Sequence, residues 1–312
     1  MNLFQDVNSI QSEKTKRYRT GWADIDWVFG SNLNDPLMYI GLPAGALTLM
    51  GGEAGVGKTR LCVSLMSSLI DNGFTVFYNQ LEMTSSQFRS QYMPNKRFPV
   101  GKFLVSDECF TLDQQLEALK QIRPQVAIID SVNRIEGFNG GHGADDIQRA
   151  FREIAPEIGC HVIFLAHLTV DGKIKGGTNL PHMGDIVTYM TRFDTSKTMT
   201  PSPKNCIKIQ VGKTRFGKSD LFAIARHTNE GVECISANHL VDGNFVLEND
   251  FHVASVKQNY SACLLAAAAQ QQGLTQEDLS DDGMQDLNED NLQQYNKSLG
   301  FGNNFVQKFL NR

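Results

Sequence analysis

The sequence predicts an α/β fold, a mostly parallel sheet flanked by helices, followed by a helical and linker-like C-terminal tail. Three observations carry that expectation. Short apolar runs at 75–78, 126–130 and 161–166 alternate with stretches of helical pattern, and strands that read as continuous apolar runs between helical crossovers belong to parallel sheets. A glycine-rich segment, Gly52-Glu53-Ala54-Gly55-Val56-Gly57-Lys58-Thr59, sits between an apolar run at 46–50 and a helical pattern beginning at Leu61. Finally, 312 residues with 41% hydrophobic content suffice for one large core and an appendage.

In chain order, residues 1–18 are polar, mixed in charge and without a clear period, as in a flexible arm or a strand that packs on a neighbouring subunit. From Arg19 to Gly30 the pattern is a short helix that Thr20 can cap, with Trp22, Ile25, Trp27, Val28 and Phe29 as its apolar face. Gly41-Leu42-Pro43-Ala44-Gly45 turns the chain into the first central strand. A helix over about 58–71 stops at Asn72-Gly73, and the strand 75–78 comes next; that strand is expected to lie beside the one that precedes the glycine loop. Helices are expected at 84–93, 111–122 and 145–158, strands at 126–130 and 161–166, and a further element from Met183 to Tyr189. Segments 206–211, 221–225 and 245–248 read as an antiparallel extension of the sheet. The core is therefore expected over 19–248, and 249–312 is left as a tail.

The glycine-rich segment satisfies G-x-x-x-x-G-K-[ST] at every fixed position. The glycines let backbone N–H groups curl around phosphate oxygens, and the start of a helix adds partial positive charge. Lys58 reaches the outer phosphates and the Thr59 hydroxyl ligates Mg²⁺. The expected ligand is a nucleoside triphosphate, ATP, with Mg²⁺, held by Gly52, Glu53, Ala54, Gly55, Val56, Gly57, Lys58, Thr59 and Arg60. Asp130 closes an apolar strand about 70 residues after that loop and is the expected second metal residue, with Thr59. A buried strand can end in Asp without holding metal; the spacing from the loop favours the metal role. Glu82, in Gln80-Leu81-Glu82-Met83, is placed to orient water and accept its proton, the alternative being a Glu that caps the helix near Thr84. His167, at the end of the 161–166 strand, is the candidate sensor of the γ-phosphate, passing hydrolysis to the basic, mobile-looking loop 169–177.

Thr20-Gly21 with Asp24-Ile25-Asp26, then 166–174 leading into Leu180-Pro181-His182-Met183-Gly184-Asp185-Ile186-Val187, and Lys213-Thr214-Arg215-Phe216-Gly217 together resemble the bacterial RadA (Sms) branch-migration ATPases. These are RecA-fold relatives of DnaB-type helicases, and Leu81-Glu82-Met83 is similar to the DnaB-type form. The resemblance covers about residues 19–248. It implies a RecA-like P-loop NTPase core in a homo-oligomer, a ring or filament with a hexameric ring as the expected form. ATP would lie between subunits and single-stranded DNA in the channel, with Lys213 and Arg215 reaching the neighbour's nucleotide or coupling it to DNA. An arginine supplied in trans is worth ~10³ or more in rate. In such a fold the loops after the Asp130 and His167 strands face the channel, which makes Arg134, Phe138, Lys173 and Lys175 the candidate DNA contacts. The chain lacks that family's four-cysteine zinc module, and the sequence after 248 is too short for its protease-like domain, as expected of a phage or mobile-element version.

Formal net charge is −5, but eight acidic and four basic residues fall after residue 248, so about −1 remains for 1–248 and a nucleic-acid partner is not excluded. The six cysteines form no C-x-x-C pair, which reads as free thiols in a reducing compartment. No run approaches the ~18 apolar residues of a membrane span, so no membrane partner and a cytoplasmic location are expected, the host cytoplasm if phage-encoded. In the tail a helix former at 252–272 leads to an acidic stretch and then to Phe305, Val306, Phe309 and Leu310. That pattern fits a docking peptide for a replication or recombination protein, or a segment folding back on its own ring. The composite expectation is an ATP-dependent DNA motor; its rivals are a DnaB-type replicative helicase and a KaiC-like nucleotide switch.

Overall fold

The computed structural model describes residues 15–30, 41–137, 143–175, 180–193, 205–217, 219, 221–241 and 244–245. In chain order its elements are β1 (Arg17–Tyr18), α1 (Ala23–Gly30), β2 (Leu42–Pro43), β3 (Leu47–Gly52), α2 (Lys58–Asp71), β4 (Val76–Gln80), α3 (Ser85–Tyr92), β5 (Phe103–Ser106), α4 (Leu112–Ile122) and β6 (Val126–Asp130). A 3-10 turn at Val132–Arg134 precedes α5 (Gly143–Ile158), β7 (His161–His167), α6 (Leu180–Met183) and β8 (Ile186–Phe193). The last described elements are β9 (Cys206–Thr214), β10 (Leu221–His227), β11 (Val232–Val241) and β12 (Asn244–Phe245). β1 and β2 pair antiparallel, so the end of the N-terminal segment pairs within its own chain. The remaining ten strands form one sheet in the order β12-β11-β10-β9-β8-β3-β7-β6-β4-β5. β8 through β5 are parallel, and β9 to β12 extend that sheet antiparallel.

Alternating apolar strands and amphipathic helices produce this layering. Along β6, Val126 and Ile128 face the core beneath α1, α2 and α3, whereas Ala127 and Ile129 face the core beneath α4 and α5, the two-residue period of a strand buried on both sides. α2 buries Leu61, Leu65, Met66 and Leu69 on the first face. α5 presents Ala144, Ile147, Phe151, Ile154 and Ala155 to the second, at helical spacing, and Phe151 meets Phe164 edge to face at 4.9 Å. Each such large side chain contributes ~1.5–3 kcal/mol. Among the described residues no helix is long and apolar enough to cross a membrane. Cys62, Cys109 and Cys160 carry free thiols.

The structure departs from the sequence reading in strand order and in two further strands. β4 does not lie beside β3: β7 and β6 stand between them, because the chain returns twice into the gap after building β4 and β5. Alternation of strand and helix signals a parallel sheet but does not order it. β5 and β11 were not foreseen; β5 is a four-residue, half-buried edge strand with too short a run to show a period. β11 mixes polar and apolar residues and pairs with β10 across a bulge at Ile224/Ala225. In the loop after His167, residues 169–173 form a turn closed by Thr169 N–H to Lys173 O at 2.7 Å, with a Leu168–Ile174 bridge around it. Residues 176–179, Phe138 and the tail from 249 lie outside the described residues, as does most of the expected 245–248 strand.

Two buried titratable groups beneath the β1–β2 pair give opposing pH dependences. His161 donates Nδ1–H to the Pro43 carbonyl at 2.8 Å and accepts at Nε2 from the Thr48 hydroxyl at 2.9 Å; burial pushes its pKa down from 6.5 to about 4. Burial pushes Asp26 up from 3.8 to about 6, against the opposing N–H and hydroxyl of Thr20. Below pH 6.5 the unfolded chain binds a proton at His161 that the folded chain refuses, so this residue removes stability as pH falls from 6.5 towards 4. Asp26 acts in the other sense: its contribution is full below 3.8 and is lost as pH rises through 6. Each is worth about 3 kcal/mol. Asp26→Asn removes one of them, so the urea midpoint of the variant is expected to climb more steeply between pH 4 and 6.5 than that of the wild type. Parallel curves would show that Asp26 does not titrate on folding.

Candidate nucleotide site

The strand registers bring the carboxyl ends of four strands to one place. Gly52 of β3 is paired with His167 of β7, Asp130 of β6 with Leu165, and Gln80 of β4 with Asp130. The glycine loop leaves β3 there and enters α2 through Gly57, whose φ of 99° is in the left-handed region. α3 and α4 are closed by capping boxes, Thr84 with Gln87 and Thr111 with Gln114. α2 has neither a side-chain cap nor an acidic residue in its first turn, so its leading N–H groups keep their capacity and partial charge for an anion. Thr84 caps α3, so Glu82 is not that helix's cap.

Lys58 curls back, donating to the carbonyls of Gly52 at 2.7 Å and Glu53 at 3.0 Å. Burial lowers its pKa, opposed by the charges of Asp130 and Glu82. A buried ammonium bonded only to carbonyls favours exchanging them for phosphate oxygens. The Thr59 hydroxyl donates to Asp130 Oδ2 at 2.9 Å, and Tyr78 donates to the same oxygen at 2.7 Å. Burial raises the Asp130 pKa, with those two hydrogen bonds opposing.

Glu82, two residues beyond the end of β4, accepts at Oε1 from Ser131 Oγ at 3.0 Å, and His167 Nε2 lies 3.0 Å from the same atom. Its N–H donates to Gln80 Oε1 at 2.8 Å. Burial acts to raise the Glu82 pKa, but the hydrogen bonds from His167 and Ser131 and the charges of His167 and Arg134 outweigh it and leave the pKa below the usual range. An ionised, partly exposed carboxylate is thus fixed across from the phosphate loop, with β6 and β7 supplying the residues that aim it. The adjacency of strands assumed from sequence was wrong, yet the register still delivers Glu82 to the site.

The loops after β6 and β7 touch. Asn133 Nδ2 donates to the Lys175 carbonyl at 2.9 Å, and the Lys175 N–H donates to the His167 carbonyl at 2.7 Å. Arg134, Lys173 and Lys175 are exposed, and Lys173 pairs with Asp171 at 3.4 Å in the open.

Lys213 and Arg215 lie at the far end of the sheet. β9 runs against β8, so Thr214 pairs with Ile186, whereas Gly52 pairs with Met190; the intervening four residues of β8 span roughly 13 Å. Lys213 donates to the carbonyls of Gly184 at 3.0 Å and Pro181 at 3.4 Å. Arg215 lies 3.6 Å from Asp185, which also meets Arg152 at 3.1 Å and accepts the Leu47 N–H at 3.0 Å. The Arg215 side chain is 55% exposed, open to another molecule and remote from its own phosphate loop. Arg60 is turned to the carbonyls of Thr228 and Asn229, so any role it has towards a nucleotide falls to its backbone.

Sequence reasoning missed Tyr78 on Asp130, Ser131 and Gln80 on Glu82, and Asp185 as the anchor of Arg215. Ser131 could have been found from its place directly after Asp130, and Gln80 from its place two residues before Glu82; Tyr78 and Asp185 depend on strand order and register.

Residues 31–173 match the AAA_25 family, an AAA domain. The DNA repair protein RadA of Campylobacter jejuni subsp. jejuni is 28% identical over 247 residues, 77% of this chain and 50% of that protein. RadA of Mycolicibacterium smegmatis is 25% identical over 242 residues, 74% of this chain and 47% of that protein. The chain thus spans about half the length of the curated relatives it matches. Among solved structures, a KaiC-like protein of Pyrococcus horikoshii OT3 superposes with a TM-score of 0.51 at 16% identity, over 71% of this chain and 100% of that one, a likeness of fold.

Proposed function

We propose that this RadA-like, RecA-fold chain is an ATPase that acts on single-stranded DNA in recombination or repair, moving along it as a homo-oligomer. The observation that carries the reading is the convergence of Lys58, the Thr59–Asp130 pair and the Glu82–Ser131–His167 cluster on the uncapped start of α2. Lys58 and the loop N–H groups hold the phosphates. Thr59 and Asp130 would hold Mg²⁺: one carboxylate and one hydroxyl fit that ion, which takes its other ligands from phosphate and water, and no cluster of three ligating side chains is present among the described residues. When bound, the ion offsets phosphate charge. Glu82, kept ionised by its partners, orients water and takes its proton.

Coupling to DNA would run through His167. Its side chain touches Glu82 and its carbonyl binds Lys175, whose own carbonyl binds Asn133 beside Arg134. A shift at Glu82 on loss of the γ-phosphate therefore has a bonded route to both candidate DNA loops. The test is ATP hydrolysis with and without single-stranded DNA. Stimulation supports the motor; hydrolysis indifferent to DNA would leave a nucleotide switch of the KaiC kind.

Lys173→Ala with Lys175→Ala is expected to weaken binding to all DNA sequences alike. The slope of log affinity against log salt should shrink by about one unit per lost phosphate contact. The Lys173–Asp171 pair offers little resistance, being exposed and worth ~0–1 kcal/mol. An unchanged slope in a titration over several salt concentrations would remove this turn from the interface.

A further inference from the structure

The phosphate loop is held from the side by a residue outside any nucleotide motif. His227 ends β10, and its Nε2 lies 3.0 Å from the Val56 carbonyl; a carbonyl only accepts, so the imidazole donates. The ring sits so close to Gly57 that a Cβ built there would meet its Cε1 at 2.2 Å and its Nε2 at 2.7 Å. The turn that follows grips the same helix: Arg60 donates to the Thr228 and Asn229 carbonyls, and the Val232 N–H donates to Ser64 Oγ at 3.0 Å. Val56 C=O and Gly57 N–H belong to one planar peptide and point in opposite directions when it is trans. Fixing the carbonyl outward on His227 therefore fixes the Gly57 N–H on the opposite side.

We propose that His227 is a positioning residue for the phosphate loop, orienting the Gly57 N–H towards the nucleotide phosphates through the Val56 carbonyl. The inference rests on the nucleotide reading given above and adds to it a residue from the antiparallel extension. Because the bond is made to the loop rather than to the reacting atoms, it acts on substrate and transition state alike. It should appear in KM and not in kcat.

The test uses the full chain and a fluorescent ADP, with thermal melting as the check on folding. His227→Phe keeps a ring against Gly57 and loses the N–H; His227→Gln keeps an N–H donor at similar reach. The Phe variant is expected to bind fluorescent ADP about fivefold more weakly, the effect of one hydrogen bond, with KM for ATP raised in proportion and kcat retained. The Gln variant should stay within about twofold of the wild type. His227→Leu repeats the comparison with less bulk if the Phe variant does not fold. Binding by the Phe or Leu variant as tight as the wild type, or a Gln variant as weak as the Phe variant, would overturn the assignment. Wild-type protein that fails to bind, or Lys58→Ala protein that binds equally well, would instead overturn the nucleotide reading and this inference with it.

Discussion

Lys58→Ala is expected to abolish ATP hydrolysis and weaken nucleotide binding, whereas Glu82→Gln keeps binding and loses turnover. The difference follows from what each side chain touches. Lys58 is buried against the loop carbonyls of Gly52 and Glu53, at the place where the outer phosphates would sit, so its loss is felt from the moment of binding. Glu82 stands across the site on Ser131 and His167, and its pKa below the usual range keeps it ready as a base at neutral pH. An amide in its place would hold the same shape and keep an oxygen for Ser131, but cannot take a proton. Loss of a positioned general base costs ~10²–10⁴ in rate, so kcat should fall by that factor while the affinity for ATP stays near the wild type. Nucleotide titration beside steady-state hydrolysis reads both quantities. Equal loss of binding in the two variants would mean that Glu82 supports the loop instead of acting on water.

Mixing inactive Lys58→Ala protein with inactive Arg215→Ala protein should restore hydrolysis. Arg215 is held by Asp185 at the end of the sheet opposite the phosphate loop and is half exposed, so any phosphate it serves belongs to another subunit. In a head-to-tail assembly each variant alone damages every interface. A one-to-one mixture makes roughly one interface in four from an intact Lys58 and an intact Arg215, by the geometry of a heterologous contact. Each parent should lie about 10³-fold or more below the wild type, the range for a trans-acting arginine, so recovery to even a few per cent is readily measured. Mixed oligomers that form, as shown by a tagged pull-down, yet stay as inactive as either parent would place Arg215 outside the neighbour's site.

The phosphate loop, its helix and the strands ending at Asp130 and His167 were all legible in the chain, because each is a local pattern: fixed glycines, a 3.6-residue period, an apolar run with a carboxylate or imidazole at its end. The edge strand Phe103–Ser106 was not legible, since four half-buried residues carry no period. Glu82 was chosen for its place after a strand, with the wrong neighbour assumed for that strand. The choice still agrees with the geometry because residues near the carboxyl ends of parallel strands gather at the same edge whatever the strand order.

What the sequence determined by itself was therefore the kind of sheet and the phosphate-loop pattern from which a nucleotide is expected, since backbone conformation at the loop glycines, charge at Lys58 and hydrophobic period act over a few residues. What only the tertiary structure decided was which groups meet: Tyr78 and Thr59 on one oxygen of Asp130, Ser131 and His167 on one oxygen of Glu82, His227 on the carbonyl of Val56, and Arg215 turned away from its own loop. Those meetings depend on strand order and register between segments far apart in the chain. Both are selected by burying two apolar faces at once over the whole sheet, a condition that no local stretch of sequence states.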